Sequence, residues 1–384
     1  MKLLVLNEAK HAADASFVER RCAVTPATVL RLTRMGLTVM VDTGAGALSG
    51  YSDTAYTDQG ATIVDVADTL PAADIVLYVN RPLPTHLEQF KPNTLVIGHI
   101  DPFFQQELVE NMAGKGLSTL SVEMIPRSSR AQKMDALSSQ ASLAGYVMMM
   151  QAANKLPSIL PMMMTPSGTI KPAKVFIIGA GVAGLQAIAT AKRLGASVLA
   201  YDTRPVVAEQ VESLGGKFLK IDIGETGQTK DGYAKELTDE QKARLQDAQR
   251  DAIADSDIVI TTAQLFGRKP PVLISKQTLA LMKPGSVVVD MAAQSGGNVE
   301  GSVPGEVVNV EGVTVIGTGH WSQCVARDAT DMYANNLLNL IDEFFDTDSK
   351  QFVLNLEDEI LAQSVITHGG EITNSMLNNA YTGG

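Results

Sequence analysis

Residues 174–204 constrain the fold more than any other stretch of the chain. Val175 to Ile178 form a short apolar run that reads as a buried parallel strand, and Gly179-Ala180-Gly181-Val182-Ala183-Gly184 follows with G-x-G-x-x-G spacing. In such a unit Gly179 allows the sharp turn from strand to helix, Gly181 lets a pyrophosphate approach the backbone, and Gly184 lets the helix pack closely on the sheet. A diphosphate then sits on the helix N-terminus. Ala187, Ala189 and Ala191 keep the helix thin, Gly195 stops it, and Val198 to Tyr201 make a second strand that ends in Asp202. A carboxylate at that point accepts hydrogen bonds from adenosine ribose hydroxyls and repels a 2′-phosphate. Arg204 argues the other way, because an arginine just past the strand can serve a 2′-phosphate. Asp202 holds the strand end, so the reading favours NAD over NADP. Glycines alone are a weak signal, since any tight turn needs them. Strand, glycines, small-residue helix, second strand and terminal acid in one unit point together to dinucleotide binding, with Gly179, Ala180, Gly181, Val182, Gly184, Asp202, Thr203 and Arg204 as the contacting set.

At 384 residues the chain is long enough for two or three domains with full cores, and two domains flanking a cleft is the default. The net charge of −11 is spread through interspersed acids and bases, without a basic stripe or aromatic-basic alternation, which argues against nucleic acid and anionic membranes. Cys22 and Cys324 lie far apart with neither C-x-x-C nor His spacing, so neither a disulfide framework nor a zinc site is indicated, and a reducing cytosol fits. His11, His86, His99, His320 and His368 are scattered and form no metal-ligand pair, so no metal is expected. The opening MKLLVLNEAK turns polar too soon for a signal peptide and reads as a first strand. The uncharged run Val175 to Ala191 has three glycines and a strand-turn-helix pattern, so it is not a membrane span.

Up to about residue 130 strands and helices alternate. Strands are expected at Leu3–Leu6, Thr38–Val41, Ile75–Val79, Leu95–Ile97 and Thr119–Val122, and Thr25-PATVLRLTRMG reads as a helix with Pro26 near its start and Gly36 at its C-cap. Gly44-Ala45-Gly46 follows a strand but opens no amphipathic helix, so it reads as a loop. Residues 126–138 form a polar segment that contains Arg127, Arg130, Gln132, Lys133 and Asp135; on sequence alone an ordinary solvated connection competes with a functional loop. A long helix is expected from about Asp135 to Asn154, and Met148–Met150 and Met162–Met164 read as adaptable core. Beyond the nucleotide unit, Leu219–Ile223 is expected as a third strand and residues 224–237 as a polar insertion with Tyr233 its only aromatic, long enough to be functional or disordered. Thr238-DEQ has capping-box spacing for a charged helix, Asp257–Thr261 returns to the sheet, and Gln264, with Leu265 beside it, lies past that strand's carboxyl end over the nucleotide crevice. Val287–Asp290 and Val313–Ile316 complete the sheet. A second long helix is expected from about Gln323 to Phe345, and the last 40 residues finish the first domain. The expected fold is therefore α/β: two Rossmann-like parallel-sheet domains separated by a cleft and linked by two long helices, with residues 1–134 plus 328–384 forming one and 135–327 the other.

Over essentially its whole length the chain resembles the NAD-binding component (domain I, the soluble alpha part) of proton-translocating nicotinamide nucleotide transhydrogenase. The matching runs are Met124-IPRSSRAQKMDALSSQASLAGY, Pro161-MMMT, Gly181-VAGLQAIATAKRLGA, Glu209-QVESLGGKF, Gly232-YAKE, Met282-KPGSVVVDMA and Asn336-LLN. The resemblance implies that Arg127, Gln132 and Asp135 form the family's Arg-Gln-Asp loop beside the nicotinamide, with Ser128 and Ser138 also on the nucleotide, and that Gly232 and Tyr233 belong to a mobile loop closing on it. It also implies a homodimer that docks an NADP(H)-binding subunit, with proton movement in a separate membrane-spanning subunit. Hydride transfer of the Si-/Re-specific type would then occur between NAD(H) here and NADP(H) there, and the chain would be cytoplasmic, peripheral to the inner membrane through its partners.

The family is also similar to alanine dehydrogenase, which gives the main enzymatic alternative. Arg21 in Arg21-CAVTP and His99 in Gly98-HID match that enzyme's substrate arginine and acid/base histidine. Its catalytic lysine lies in a K-V-K-E-P run that here reads Tyr78-VNRP, and the acid of its D-x-A-x-D-Q-G-G motif is Gln294. Without that lysine and acid an imino acid intermediate has no obvious proton manager, so Arg21 and His99 read as inherited structure. A non-enzymatic NAD-sensing module uses the same fold and stays open at this point.

Overall fold

The computed structural model describes residues 1–11, 18–221 and 239–382. They fall into two compact units, Met1–Gln140 with Ser322–Gly384 and Ala141–Trp321, and each carries its own sheet.

The sheet of the first unit has eight strands in the order Glu371–Ile372, Val365–His368, Ser118–Ser121, Leu95–Gly98, Ile75–Leu77, Lys2–Val5, Thr38–Asp42 and Thr62–Val64. From Ser118–Ser121 to Thr62–Val64 every pairing is parallel, and the two C-terminal strands add on antiparallel at one edge. Leu3, Leu4, Val5, Ile75, Val76, Val96 and Ile97 are buried, because helices cover both faces and leave an apolar run rather than an alternation. The helix Pro26–Arg34 begins with Pro26 behind Thr25, whose hydroxyl accepts from the Thr28 N–H while Thr28 caps Thr25 in return. It ends at Met35, with Gly36 at φ +97° one residue later. The longest helix of this unit is Ala326–Phe344, entered through a 3-10 turn at Trp321–Val325.

In the second unit the order is Lys217–Phe218, Ser197–Tyr201, Lys174–Ile178, Ile258–Thr261, Val287–Asp290, Val313–Ile316 and Val307–Val310, parallel except for the last pair. The order reverses between Lys174–Ile178 and Ile258–Thr261, which is where a doubly wound sheet opens a ligand crevice at its carboxyl edge. The helix Ala136–Lys155 gives its first residues to the first unit and the remainder to the second. In the second unit Gly145 of this helix lies against the helix Val182–Arg193 so closely that a Cβ on it would stand 2.1 Å from the Ala183 carbonyl oxygen.

Three expectations change. Met162–Met164 are not core: Met163–Thr165 pairs with Gly168–Ile170 in a two-stranded hairpin, and Met162 and Met164 are 60% and 72% exposed. A lone hairpin buries neither face unless another layer covers it, and among the described residues none does. Met148 and Met149 are buried as expected, while Met150 is partly exposed. The third strand is Lys217–Phe218 rather than Leu219–Ile223, since pairing with Leu199 and Ala200 ends at Phe218. Ile223, Thr238 and the 224–237 insertion lie outside the described residues. Among the described residues no helix is long and apolar enough to cross a membrane.

Candidate functional site

The glycine turn of the second unit has the geometry of a phosphate cradle. Gly179, at φ +100°, makes the turn out of Lys174–Ile178, and a Cβ on it would lie 2.3 Å from the Thr262 hydroxyl oxygen. That hydroxyl donates to the carbonyls of Ile178 and Gly179 at 3.2 and 3.1 Å, so the neighbouring strand locks the turn. Gly184 sits with its virtual Cβ 1.9 Å from the Gly179 carbonyl oxygen, which is the close helix approach expected of the third glycine. Gly181 is the N-cap of the helix Val182–Arg193 and offers no side-chain cap, and a Cβ there would meet nothing within 4 Å. Gly181 therefore borders open space at a helix N-terminus without a side-chain cap, the fit that a diphosphate requires.

Asp202 closes the next strand with its carboxylate mostly buried. One oxygen accepts from the Ala180 N–H at 2.8 Å, and the two together accept from the Arg204 backbone at 2.9 Å and from its guanidinium at 2.9 and 3.0 Å. Burial works to raise its pKa, but the Arg204 side chain and the two backbone N–H groups outweigh it and hold the carboxyl below the usual carboxylate range. The two residues that argued for opposite nucleotides are thus one ion pair, with Thr203 between them. On the other side of the crevice Gln264 and Leu265 are exposed on the loop that follows Ile258–Thr261.

The second group of expected residues belongs to the first unit. Arg127 and Gln132 are exposed, and neither makes a side-chain hydrogen bond to a described residue. Asp135 accepts from the Ser138 N–H at 2.8 Å and from its hydroxyl at 2.6 Å, and so caps the helix Ala136–Lys155. The segment is anchored at several points. Arg130 bonds Glu343 at 2.8 Å and Asp358 at 2.6 Å and lies over the Phe344 ring, Lys133 pairs with Glu343, and Asn336 and Asn339 donate to the Lys133 carbonyl. Ser128 approaches Glu359 at 3.4 Å. Two polar side chains on a pinned backbone can present donors and an acceptor without paying for loop ordering.

Arg21 and His99 are both in the first unit. The Arg21 guanidinium is engaged by Glu19 at 2.9 and 2.8 Å, by Gln140 at 3.0 Å and by Ser322 at 3.3 Å. Asn80, within the lysine-free Tyr78-VNRP run, donates to Glu8 and Glu19. His99 is bonded through Nδ1 to the Val79 carbonyl, stacks on Tyr333 at 5.4 Å, and is pushed down in pKa by burial. Gly232 and Tyr233 lie outside the described residues.

Sequence reading missed Thr262, although its place directly after a strand beside the crevice was a usable signal. It also missed the Arg130 anchors, whose partners Glu343 and Asp358 lie more than 200 residues further along the chain.

The family model described as alanine dehydrogenase/PNT, N-terminal domain, matches residues 7–144, and that described as alanine dehydrogenase/PNT, C-terminal domain, matches residues 148–375. The chain is 40% identical to the first of the parts that make up NAD(P) transhydrogenase subunit alpha in Rhodospirillum rubrum, over 98% of this chain and 99% of that protein. A solved transhydrogenase structure from Sinorhizobium meliloti is 38% identical and superposes with a TM-score of 0.84, covering 98% of this chain and 100% of that one. An L-alanine dehydrogenase structure, 24% identical, superposes with a TM-score of 0.82 over 100% of this chain and 99% of that one, a likeness of fold.

Proposed function

The chain belongs to the alanine dehydrogenase/PNT family, and on that premise we propose that it is the NAD(H)-binding component of a transhydrogenase, passing hydride directly between NAD(H) on this chain and NADP(H) on a partner subunit. The observation that carries the reading is the pairing of a complete dinucleotide cradle with a missing proton manager. Gly181 opens onto free space and Asp202 stands at the strand end, while the lysine-free Tyr78-VNRP run and Gln294 stand where an amino acid dehydrogenase would need a lysine and an acid. Direct transfer between nicotinamides moves no proton on or off a substrate and needs positioning rather than acid or base.

Bound NAD(H) supplies the hydride chemistry, and the residues of this chain bind, orient and enclose. Gly179 to Gly184 hold the diphosphate, Asp202 the adenosine ribose, and Gln264 and Leu265 flank the crevice. Arg127, Ser128, Asp135 and Ser138 orient the nicotinamide side, and Gln132, a neutral group with both donor and acceptor, reaches towards the partner nucleotide. Gly232 and Tyr233 belong to a closing segment that excludes water. The assembly is a homodimer with an NADP(H)-binding subunit, and proton translocation belongs to a separate membrane component; the exposed Met162–Met164 hairpin suits contact with a second copy. The alanine-dehydrogenase reading is disfavoured by Arg21, whose guanidinium is already filled by Glu19, Gln140 and Ser322.

Stopped-flow mixing with the NADP(H)-binding subunit tests the proposal. Gln132→Asn shortens the reach by one methylene and keeps the amide, so NADH affinity is expected to stay within a few-fold while single-turnover transfer slows by about 10²-fold. An unchanged transfer rate, or alanine oxidation by the chain with NAD alone, overturns the assignment, and a pure NAD sensor would transfer nothing.

A further inference from the structure

Asn298 belongs to none of the nucleotide-contacting residues, yet its surroundings tie it to them. It is fully buried, and Asp290, the last residue of Val287–Asp290, fixes its place. The Asp290 carboxylate accepts from the Asn298 N–H at 3.0 and 3.1 Å, from the Ala292 N–H at 3.0 Å and from the Val299 N–H at 3.3 Å. Gly297 makes the intervening turn at φ +79°, with a virtual Cβ 2.9 Å from an Asp290 carboxylate oxygen. The Asn298 carbonyl accepts from the Leu273 and Ile274 N–H groups at 2.7 and 3.0 Å.

From this fixed backbone the Asn298 side chain reaches the loop that follows the neighbouring strand. Its Nδ2 donates to the Ala263 carbonyl at 3.0 Å and to the Pro271 carbonyl at 2.8 Å. Ala263 and Pro271 are the two feet of the loop 264–270, so a single amide nitrogen fastens both. Between the feet Gly267 turns at φ +67°, the Arg268 N–H returns to the Leu265 carbonyl at 3.3 Å, and Leu265 and Phe266 remain 52% and 56% exposed. Two carbonyl oxygens can face only the NH2 end of the amide, which sets its orientation. Its oxygen is left buried without a partner among the described residues, an unfavourable arrangement that an apolar side chain would avoid but that the two donations require.

We infer that Asn298 is a positioning residue for nucleotide binding, clasping Ala263 to Pro271 and so holding Gln264 and Leu265 ready beside the Gly179–Gly184 cradle. The inference rests on the nucleotide reading of that cradle, to which the loop is joined at its start by the Thr262 hydroxyl on the Gly179 carbonyl. A loop ordered beforehand spares the nucleotide the cost of ordering it, an effect on binding that is equal in ground and transition states. Losing the clasp therefore raises KM and leaves kcat in place.

The test compares the unmodified chain with Asn298→Ala and Asn298→Ser by NADH fluorescence titration and by transfer assays with the NADP(H)-binding subunit. Asn298→Ala is expected to raise the NADH dissociation constant and KM about 10-fold, the scale of two lost hydrogen bonds, with turnover at saturating NADH within about two-fold. Asn298→Ser keeps one donor and is expected to fall between. NADH affinity equal to the unmodified chain's in both variants, or a fall in kcat at constant KM, overturns the inference. An unmodified chain that binds no NADH defeats the nucleotide reading itself, whereas normal binding by all three defeats only the clasp. If neither variant folds, hydrogen exchange of the unmodified chain without nucleotide decides: the Arg268 amide, bonded to the Leu265 carbonyl, must already be protected, and free exchange there overturns the clasp.

Discussion

On the proposed reading Asp202 serves two sets of partners with the same oxygens. In the structure they go to Ala180 and Arg204, and a bound ribose would share them. The Asp202→Asn amide keeps one acceptor, loses the charge, and releases the Arg204 guanidinium. NADH binding is then expected to weaken by about 1–2 kcal/mol, and the preference for NADH over NADPH to narrow because Arg204 becomes available to a 2′-phosphate. Parallel calorimetric titrations with both nucleotides check this, and an unchanged ratio contradicts it. A second residue-scale effect concerns Glu8, whose pKa rises to about 7 because its carboxyl is buried and Glu19 lies near, against hydrogen bonds from Val79 and Asn80. A raised carboxyl pKa means that the folded chain binds more protons than the unfolded one between about pH 4.5 and 7, so Glu8 withdraws stability as pH rises through that window. Burial lowers His86 from 6.5 to about 4 and His99 also downwards, so these two add stability as pH rises, against Glu8 over much of the same range. The difference in urea stability between the unmodified chain and Glu8→Gln isolates the carboxyl. It is expected to move in favour of the variant by about 2 kcal/mol from pH 5 to pH 8, and a difference independent of pH contradicts the assignment.

The helix Val182–Arg193 depends on its glycines for its position. Gly184→Ala would drive a methyl into the Gly179 carbonyl, a backbone atom that cannot step aside, so helix and turn must separate. The expected result is a loss of about 1–3 kcal/mol in stability, read by thermal denaturation, together with NADH binding at least about tenfold weaker; unchanged binding would contradict the close-packed cradle. This element was legible from sequence because everything that shapes it is local: apolar run, glycine spacing, alanines and the terminal acid lie within one short stretch. Val287–Asp290 and Val313–Ile316 were legible for a similar reason, as buried strands of largely apolar residues. The antiparallel edges Val307–Val310 and Glu371–Ile372 were not, because short edge strands take their pairing from a neighbour rather than from their own pattern. Met162–Met164 misled for a related reason, since an apolar run does not say whether its own chain covers it. In the site, Thr262, Asn298 and the partners of Arg130 escaped notice because those contacts are tertiary, whereas Gly179, Gly181, Gly184 and Asp202 announced themselves by spacing.

At the scale of the whole molecule, each unit contributes a different share of the proposed reaction: a nucleotide cradle in the second, and in the first a pinned loop bearing Gln132 together with a buried cluster filled by Glu8, Glu19 and Arg21. On the proposed reading such a chain holds and orients a dinucleotide and leaves the second half of the chemistry to a partner. Its central claim is that hydride passes directly from one nicotinamide to the other, the carbon–hydrogen bond at C4 of NADH breaking with its electron pair as the equivalent bond forms at C4 of NADP. The most direct measurement supplies NADH labelled with deuterium at the transferred C4 position to the chain and its NADP(H)-binding subunit in ordinary water, and reads the NADPH product by mass spectrometry and NMR. The account predicts undiluted deuterium at C4 of NADPH; solvent hydrogen in its place, or no labelled NADPH at all, would contradict it.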